Sequence, residues 1–191
     1  VGISYGTLLG ATYMTLFPDR VRAFVLDSPV DPVSERLDHV DRQAAGYEDA
    51  LDRFLVDCGA NASCPFHGGA GSDAVGAALD ALFAGLETTP LPAGDRQLTI
   101  GTAGLGLEGA LRGASWTALA AALADAEAGD GSALLALSDA LLGRDSSGYG
   151  GFVRSFIAIS CVDRPVDVDF AGFDAHTATL EATAPRMASI V

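Results

Sequence analysis

Val1-Gly2-Ile3-Ser4-Tyr5-Gly6-Thr7-Leu8-Leu9-Gly10 opens the chain, and its reading decides the fold. Gly2, Ser4 and Gly6 make a G-x-S-x-G pattern, the spacing of a nucleophile elbow, in which a serine stands on a strained turn between a strand and a helix. Glycines two residues either side of the serine let such a turn close without side-chain clashes. Chance alone produces this spacing in a chain with 23 glycines, so the flanks carry the argument. Gly2 and Ile3 read as the end of a buried strand, and residues 5–17 as a helix with Gly6 and Gly10 on one face. Pro18-Asp19 stops that helix. Val21-Arg22-Ala23-Phe24-Val25-Leu26-Asp27 then reads as a second apolar strand ending in an acid. Strand, elbow, helix and strand in immediate succession is the context that the motif requires, and a Gly-rich helix start alone would lack it. Ser4 is accordingly expected at positive φ, because the turn is strained to expose Oγ.

The string from Gly2 to Gly10, followed by Phe17-Pro18-Asp19-Arg20-Val21 and Val25-Leu26-Asp27-Ser28-Pro29-Val30-Asp31-Pro32, resembles one branch of the α/β-hydrolase superfamily. That branch is the secreted tripeptidyl aminopeptidases and their proline-iminopeptidase-like relatives. The likeness continues more faintly in Trp116-Thr117-Ala118-Leu119-Ala120-Ala121-Ala122-Leu123 with Gly129-Asp130, and in Ala158-Ile159-Ser160-Cys161-Val162-Asp163. The resemblance implies an α/β class, namely a partial α/β-hydrolase fold with a mostly helical cap insertion. Its strand–elbow–helix–strand unit occupies residues 1–32, the cap 33–155, and 156–191 return toward the core. It further implies a serine exopeptidase that releases short peptides from free N-termini. Ser4 would form the acyl-enzyme, and the Tyr5 backbone N–H would supply half of the oxyanion hole. No cofactor is implied.

In that fold the triad runs serine, then Asp or Glu, then His. His39 falls in a helical pattern beside Asp38, and His67 follows Cys64-Pro65-Phe66 in a Gly-rich loop. His176 is late enough in the chain but lacks the preceding apolar strand and glycine. Acid, base and second oxyanion donor are therefore expected outside these 191 residues, and the isolated segment is expected to be inactive. Asp27 is an alternative acid, since triad roles are set by geometry and not by chain order; the plainer reading is an acid capping a turn. An aminopeptidase also needs a carboxylate for the substrate's α-ammonium. Asp163 and Glu108 are the candidates, against the ordinary reading of isolated acids as solvated.

Between the elbow unit and the end, Ser34 can cap a helix with Leu37, Val40, Ala44, Tyr47, Leu51 and Phe54 on one face. Ser72-Asp73 opens another, with Val75, Leu79, Leu82, Phe83 and Leu86. Leu98-Thr99-Ile100 reads as a short extended piece, and residues 101–106 as loop. Ser115 caps a third helix closed by Gly129, residues 134–142 form a fourth closed by Gly143, and 148–151 read as a hinge-like break.

Composition fits a globular protein, at 49% hydrophobic and 19% charged. Eleven basic residues, all Arg, stand against 25 acidic ones for a net charge of −14, which argues against nucleic acid and anionic membrane surfaces. No apolar run approaches the roughly 18 residues of a membrane span. There is no signal peptide in the sequence, and the resemblance implies a secreted protein. Cys58 and Cys64 could close a small disulfide loop in an oxidising compartment, or stand as two thiols in the cytosol. A zinc pair with His67 lacks a fourth ligand nearby, so no metal is expected. Cys161 is left over. Two rivals remain: a lipase or carboxylic ester hydrolase with the same elbow, and a non-catalytic binding protein that retains it. The peptide-ended substrate is the only partner implied, and oligomeric state is not legible.

Overall fold

Strand β1 (Gly2–Ile3) runs parallel to β2 (Leu26–Asp27), with Gly2 opposite Leu26 and Ile3 opposite Asp27. Helix α1 (Tyr5–Leu16) and a 3₁₀ turn (Pro18–Arg20) connect them. This is a computed structural model in which residues 1–34, 36–163, 169–188 and 190 are described. The chain divides into two compact units, residues 1–39 and 40–191.

In the first unit Pro18 ends α1 where the sequence places the stop. The apolar stretch at 21–27 makes a shorter strand than its composition suggests. Gly2 N–H donates to the Val25 carbonyl at 2.8 Å and Ser4 N–H to the Asp27 carbonyl at 2.9 Å, so ladder pairing falls at the end of the stretch. Apolar composition marks a buried segment, but only a partner backbone makes it a strand. Gly10 allows α1 to sit close to that segment: a Cβ there would lie 2.9 Å from Leu26 Cδ2 and 3.2 Å from a Phe24 ring carbon. Tyr13 extends the contact, its ring centroid 6.4 Å from that of Phe24.

The second unit is mostly helical. Helix α2 (Arg36–Ala60) buries Ala44, Leu51 and Phe54, the stripe expected from its three- and four-residue steps. The Ser34 hydroxyl donates to the Asp31 carbonyl at 3.1 Å, and the cap expected there borders Glu35, which lies outside the described residues. Helix α3 (Ser72–Thr88) buries Val75, Leu79 and Leu86. An antiparallel hairpin follows, β3 (Leu91–Ala93) with β4 (Arg96–Leu98), and then α4 (Ile100–Arg112), α5 (Trp116–Glu127) and α6 (Ser132–Leu142). Gly143 closes α6 in the left-handed conformation, φ 61° and ψ 40°. A short hairpin, β5 (Arg144–Asp145) with β6 (Gly148–Tyr149), stands where a hinge was expected. Helices α7 (Gly151–Asp163) and α8 (Phe170–Thr183) complete the unit.

Helix α4 corrects the loop expected at residues 101–106. Thr99 Oγ1 accepts the Thr102 N–H, while Thr102 Oγ1 accepts the Thr99 N–H, a reciprocal capping box that starts the helix. Gly104 and Gly106 then serve packing. A Cβ on Gly106 would stand 2.5 Å from the Leu134 carbonyl oxygen of α6, and one on Gly104 2.8 Å from the Ile190 side chain. Close approach of neighbours overrides weak helix propensity here.

The division expected at 155/156 runs through this unit. Leu180, Ala184 and Met187 share one buried cluster with Leu51, Phe54 and Leu107. Glu48, itself buried, accepts the backbone N–H groups of Arg186 and Met187 at 3.1 and 2.9 Å, and Arg186 grips Asp80 with two nitrogens. No helix among the described residues is long and apolar enough to cross a membrane.

Candidate active site

Ser4 sits between β1 and α1 at φ 51° and ψ −120°. A β-carbon residue in that region costs about 1–3 kcal/mol and persists only where its surroundings hold it. They hold it from both sides. Its N–H donates to the Asp27 carbonyl at 2.9 Å, and its carbonyl accepts the Thr7 N–H at 2.9 Å and the Thr7 hydroxyl at 2.6 Å. The Ser4 side chain is exposed and caps no helical N–H. Tyr5 and Gly6 follow as the first residues of α1, at the positive end of a twelve-residue helix dipole.

The two elbow glycines differ in what they do. Gly2 is buried, and a Cβ there would run into the Gly6 carbonyl and approach the Thr7 nitrogen to 3.1 Å. A Cβ on Gly6 meets no described atom within 4 Å. The steric argument for paired glycines therefore applies to Gly2 in this unit and not to Gly6. Thr7 is a residue that the motif did not single out. Its signal was a hydroxyl three positions after the serine, within reach of the serine's own carbonyl.

A family model described as the alpha/beta hydrolase fold matches residues 1–68, which include the whole β1–α1–β2 unit. Serine protease Hip1 of Mycobacterium tuberculosis is 35% identical over 181 residues, covering 88% of this chain and 34% of that protein. The chain belongs to the α/β-hydrolase superfamily. Two further relatives divide in their named activities. Carboxylesterase B of Mycobacterium tuberculosis is 33% identical over 173 residues, 88% of this chain and 33% of its own length. Tripeptidyl aminopeptidase of Streptomyces lividans is 57% identical over 37 residues, 19% of this chain and 7% of its own. This α/β-hydrolase chain thus spans about a third of the length of the first two curated relatives.

The remaining candidates fall into local settings. Asp27 ends β2 exposed, with its carboxylate accepting the Ser28 hydroxyl at 3.2 Å. Asp163 is exposed at the end of α7. Glu108 is engaged: it accepts the Tyr47 hydroxyl at 2.9 Å and an Arg112 nitrogen at 2.7 Å. Burial pushes the Tyr47 hydroxyl above its usual pKa; the hydrogen bond from Arg112 draws it down, and the Glu108 charge adds to the rise. Arg112 is raised as well: burial opposes its charge, but Tyr47 and Glu108 outweigh that. A carboxylate already matched by a guanidinium has little charge left for a substrate ammonium.

Two of the histidines lie beside carboxylates. His67 Nε2 lies 2.7 Å from Glu127 on α5. His176 Nε2 lies 3.0 Å from Asp41 Oδ1, without the alignment of a hydrogen bond. Among the described residues no group of three or more His, Cys, Asp or Glu is placed to hold a metal ion.

Cys58 and Cys64 are bridged, with Cα atoms 5.3 Å apart, and Cys161 is an exposed free cysteine. The bridge closes the turn below α2 that buries Phe66 and presents His67 to Glu127. Thiol titration under denaturing, non-reducing conditions is expected to find the bridged pair silent and Cys161 reactive. The double variant Cys58→Ser/Cys64→Ser is expected to lower stability by about 2 kcal/mol, since a short loop removes limited chain entropy. Denaturant midpoints measure it, and an unchanged midpoint would deny the bridge a structural part.

Proposed function

We propose that this α/β-hydrolase chain carries the nucleophile of a serine exopeptidase that releases short peptides from free N-termini. The observation that carries the reading is Ser4 on its strained strand-to-helix turn. Ser4 Oγ attacks the carbonyl carbon of the scissile bond while a general base takes its proton. The Tyr5 N–H, at the positive end of α1, donates to the oxyanion that forms. Collapse expels the amine, which takes the proton back, and leaves an ester on Ser4 that water hydrolyses. The relatives named as a serine protease and a tripeptidyl aminopeptidase support a peptide substrate. The relative named as a carboxylesterase favours a second reading, an ester hydrolase with the same nucleophile. The Cys58–Cys64 bridge supports a working place outside the reducing cytosol.

Matched substrates separate the two readings in the protein as encoded. A tripeptidyl amide with a free amine is expected to exceed its N-acetylated counterpart in kcat/KM by at least about 10²-fold, because a site built for an ammonium rejects the analogue that lacks it. Equal rates on both amides, with faster turnover of simple p-nitrophenyl esters, would overturn the exopeptidase reading and favour the esterase.

A further inference from the structure

Thr7 is 1% exposed, yet its side chain is polar. A buried hydroxyl is costly unless both its donor and its acceptor capacity are used. Both are. Thr7 Oγ1 donates to the Ser4 carbonyl at 2.6 Å and accepts the Val30 N–H at 2.8 Å. One atom therefore ties the elbow to the turn that follows β2, within the first compact unit.

The consequence lies in the next peptide plane. The Ser4 carbonyl and the Tyr5 N–H belong to one planar amide and point in opposite directions. Whatever fixes the direction of the carbonyl fixes the direction of the N–H. The Thr7 N–H gives that carbonyl one constraint from within the helix, a bond at 2.9 Å. Adding a hydroxyl anchored at Val30 gives it a second one from outside the helix. Ser4 at φ 51° is a conformation that must be over-determined to persist, and Thr7 joins the Asp27 carbonyl in determining it.

We propose that Thr7 is a positioning residue: its hydroxyl holds the Ser4 carbonyl and thereby aims the Tyr5 N–H at the developing oxyanion. The inference rests on the reading of Ser4 as the nucleophile. Thr7 touches no substrate, and acts only through the Ser4–Tyr5 amide.

The test uses Thr7→Val, which keeps the shape and removes the hydroxyl, and Thr7→Ser, which keeps the hydroxyl, both in the protein as encoded. Thr7→Val is expected to lower kcat about 10²-fold, the scale of a lost oxyanion donor, with KM unchanged. Affinity for a peptide boronate, which places an oxyanion at the site, should fall in parallel. Thr7→Ser should restore both to within about threefold, since the donor and acceptor atom is back in place. A role confined to packing would lower Tm without splitting kcat from KM. Should Thr7→Val fail to fold, Thr7→Ala against Thr7→Ser carries the same comparison. Wild-type kcat and boronate affinity in the hydroxyl-free variant would overturn the proposal. Failure of a fluorophosphonate to label Ser4 in the wild type would instead remove the nucleophile reading, so the two failures are distinguishable.

Discussion

Replacing Ser4 with alanine in the protein as encoded is expected to lower kcat/KM on the order of 10⁴- to 10⁶-fold while Tm stays within a degree or two, about 0.5 kcal/mol of stability. The loss is large because acyl transfer through a covalent intermediate has no substitute when the attacking oxygen is gone; what survives comes from binding and oxyanion stabilisation. Stability is spared because the Ser4 backbone makes the structural contacts. Its N–H bonds to Asp27 and its carbonyl to Thr7, and alanine retains both. The exposed side chain contributes no capping bond. Labelling by a fluorophosphonate gives an independent readout, in which Ser4 Oγ displaces fluoride from phosphorus. The wild type should label at Ser4 and the variant should not. A Ser4→Ala protein that retains turnover would place the chemistry on another residue, whereas a wild type with neither turnover nor labelling would favour the binding-protein alternative.

The elbow was legible because its chemistry is local. Gly2, Ser4, the run into α1 and the stop at Pro18 are set by neighbours within a few positions, and a motif with the right flanks reports them. The stripes of α2 and α3 were legible for a related reason: Leu51, Phe54, Val75 and Leu79 repeat at helical spacing and face one core. Two features were not. Residues 101–106 carry glycines that look like loop until Leu134 and Ile190 are seen to press against them, which is a long-range fact. Glu108 looked like an uncommitted acid until Tyr47, some sixty positions away, brought its hydroxyl to the carboxylate beside Arg112. Thr7 was missed between these limits. Its bond to Ser4 is local, but its bond to Val30 spans 23 positions, and only the two together give it a role.

Gly2→Ala is expected to cost both the fold of the elbow and its reactivity: a loss of about 1–3 kcal/mol or more in stability, as overpacking does, and at least about a 10²-fold drop in fluorophosphonate labelling of Ser4. The added methyl would enter the Gly6 carbonyl and press on the Thr7 nitrogen at 3.1 Å. Both are backbone atoms in the first turn of α1, so no rotamer change relieves the contact. Relief requires the helix start to move away from β1. That movement would pull the Ser4 carbonyl off its Thr7 donors and turn the Tyr5 N–H with it. Gly10→Ala provides the contrast. Its methyl would meet the Leu26 and Phe24 side chains at 2.9 and 3.2 Å, and side chains can turn. Its stability should fall while labelling of Ser4 stays near the wild-type rate. If Gly2→Ala labels as fast as Gly10→Ala, the elbow tolerates a β-carbon at its first glycine and its strain is held elsewhere.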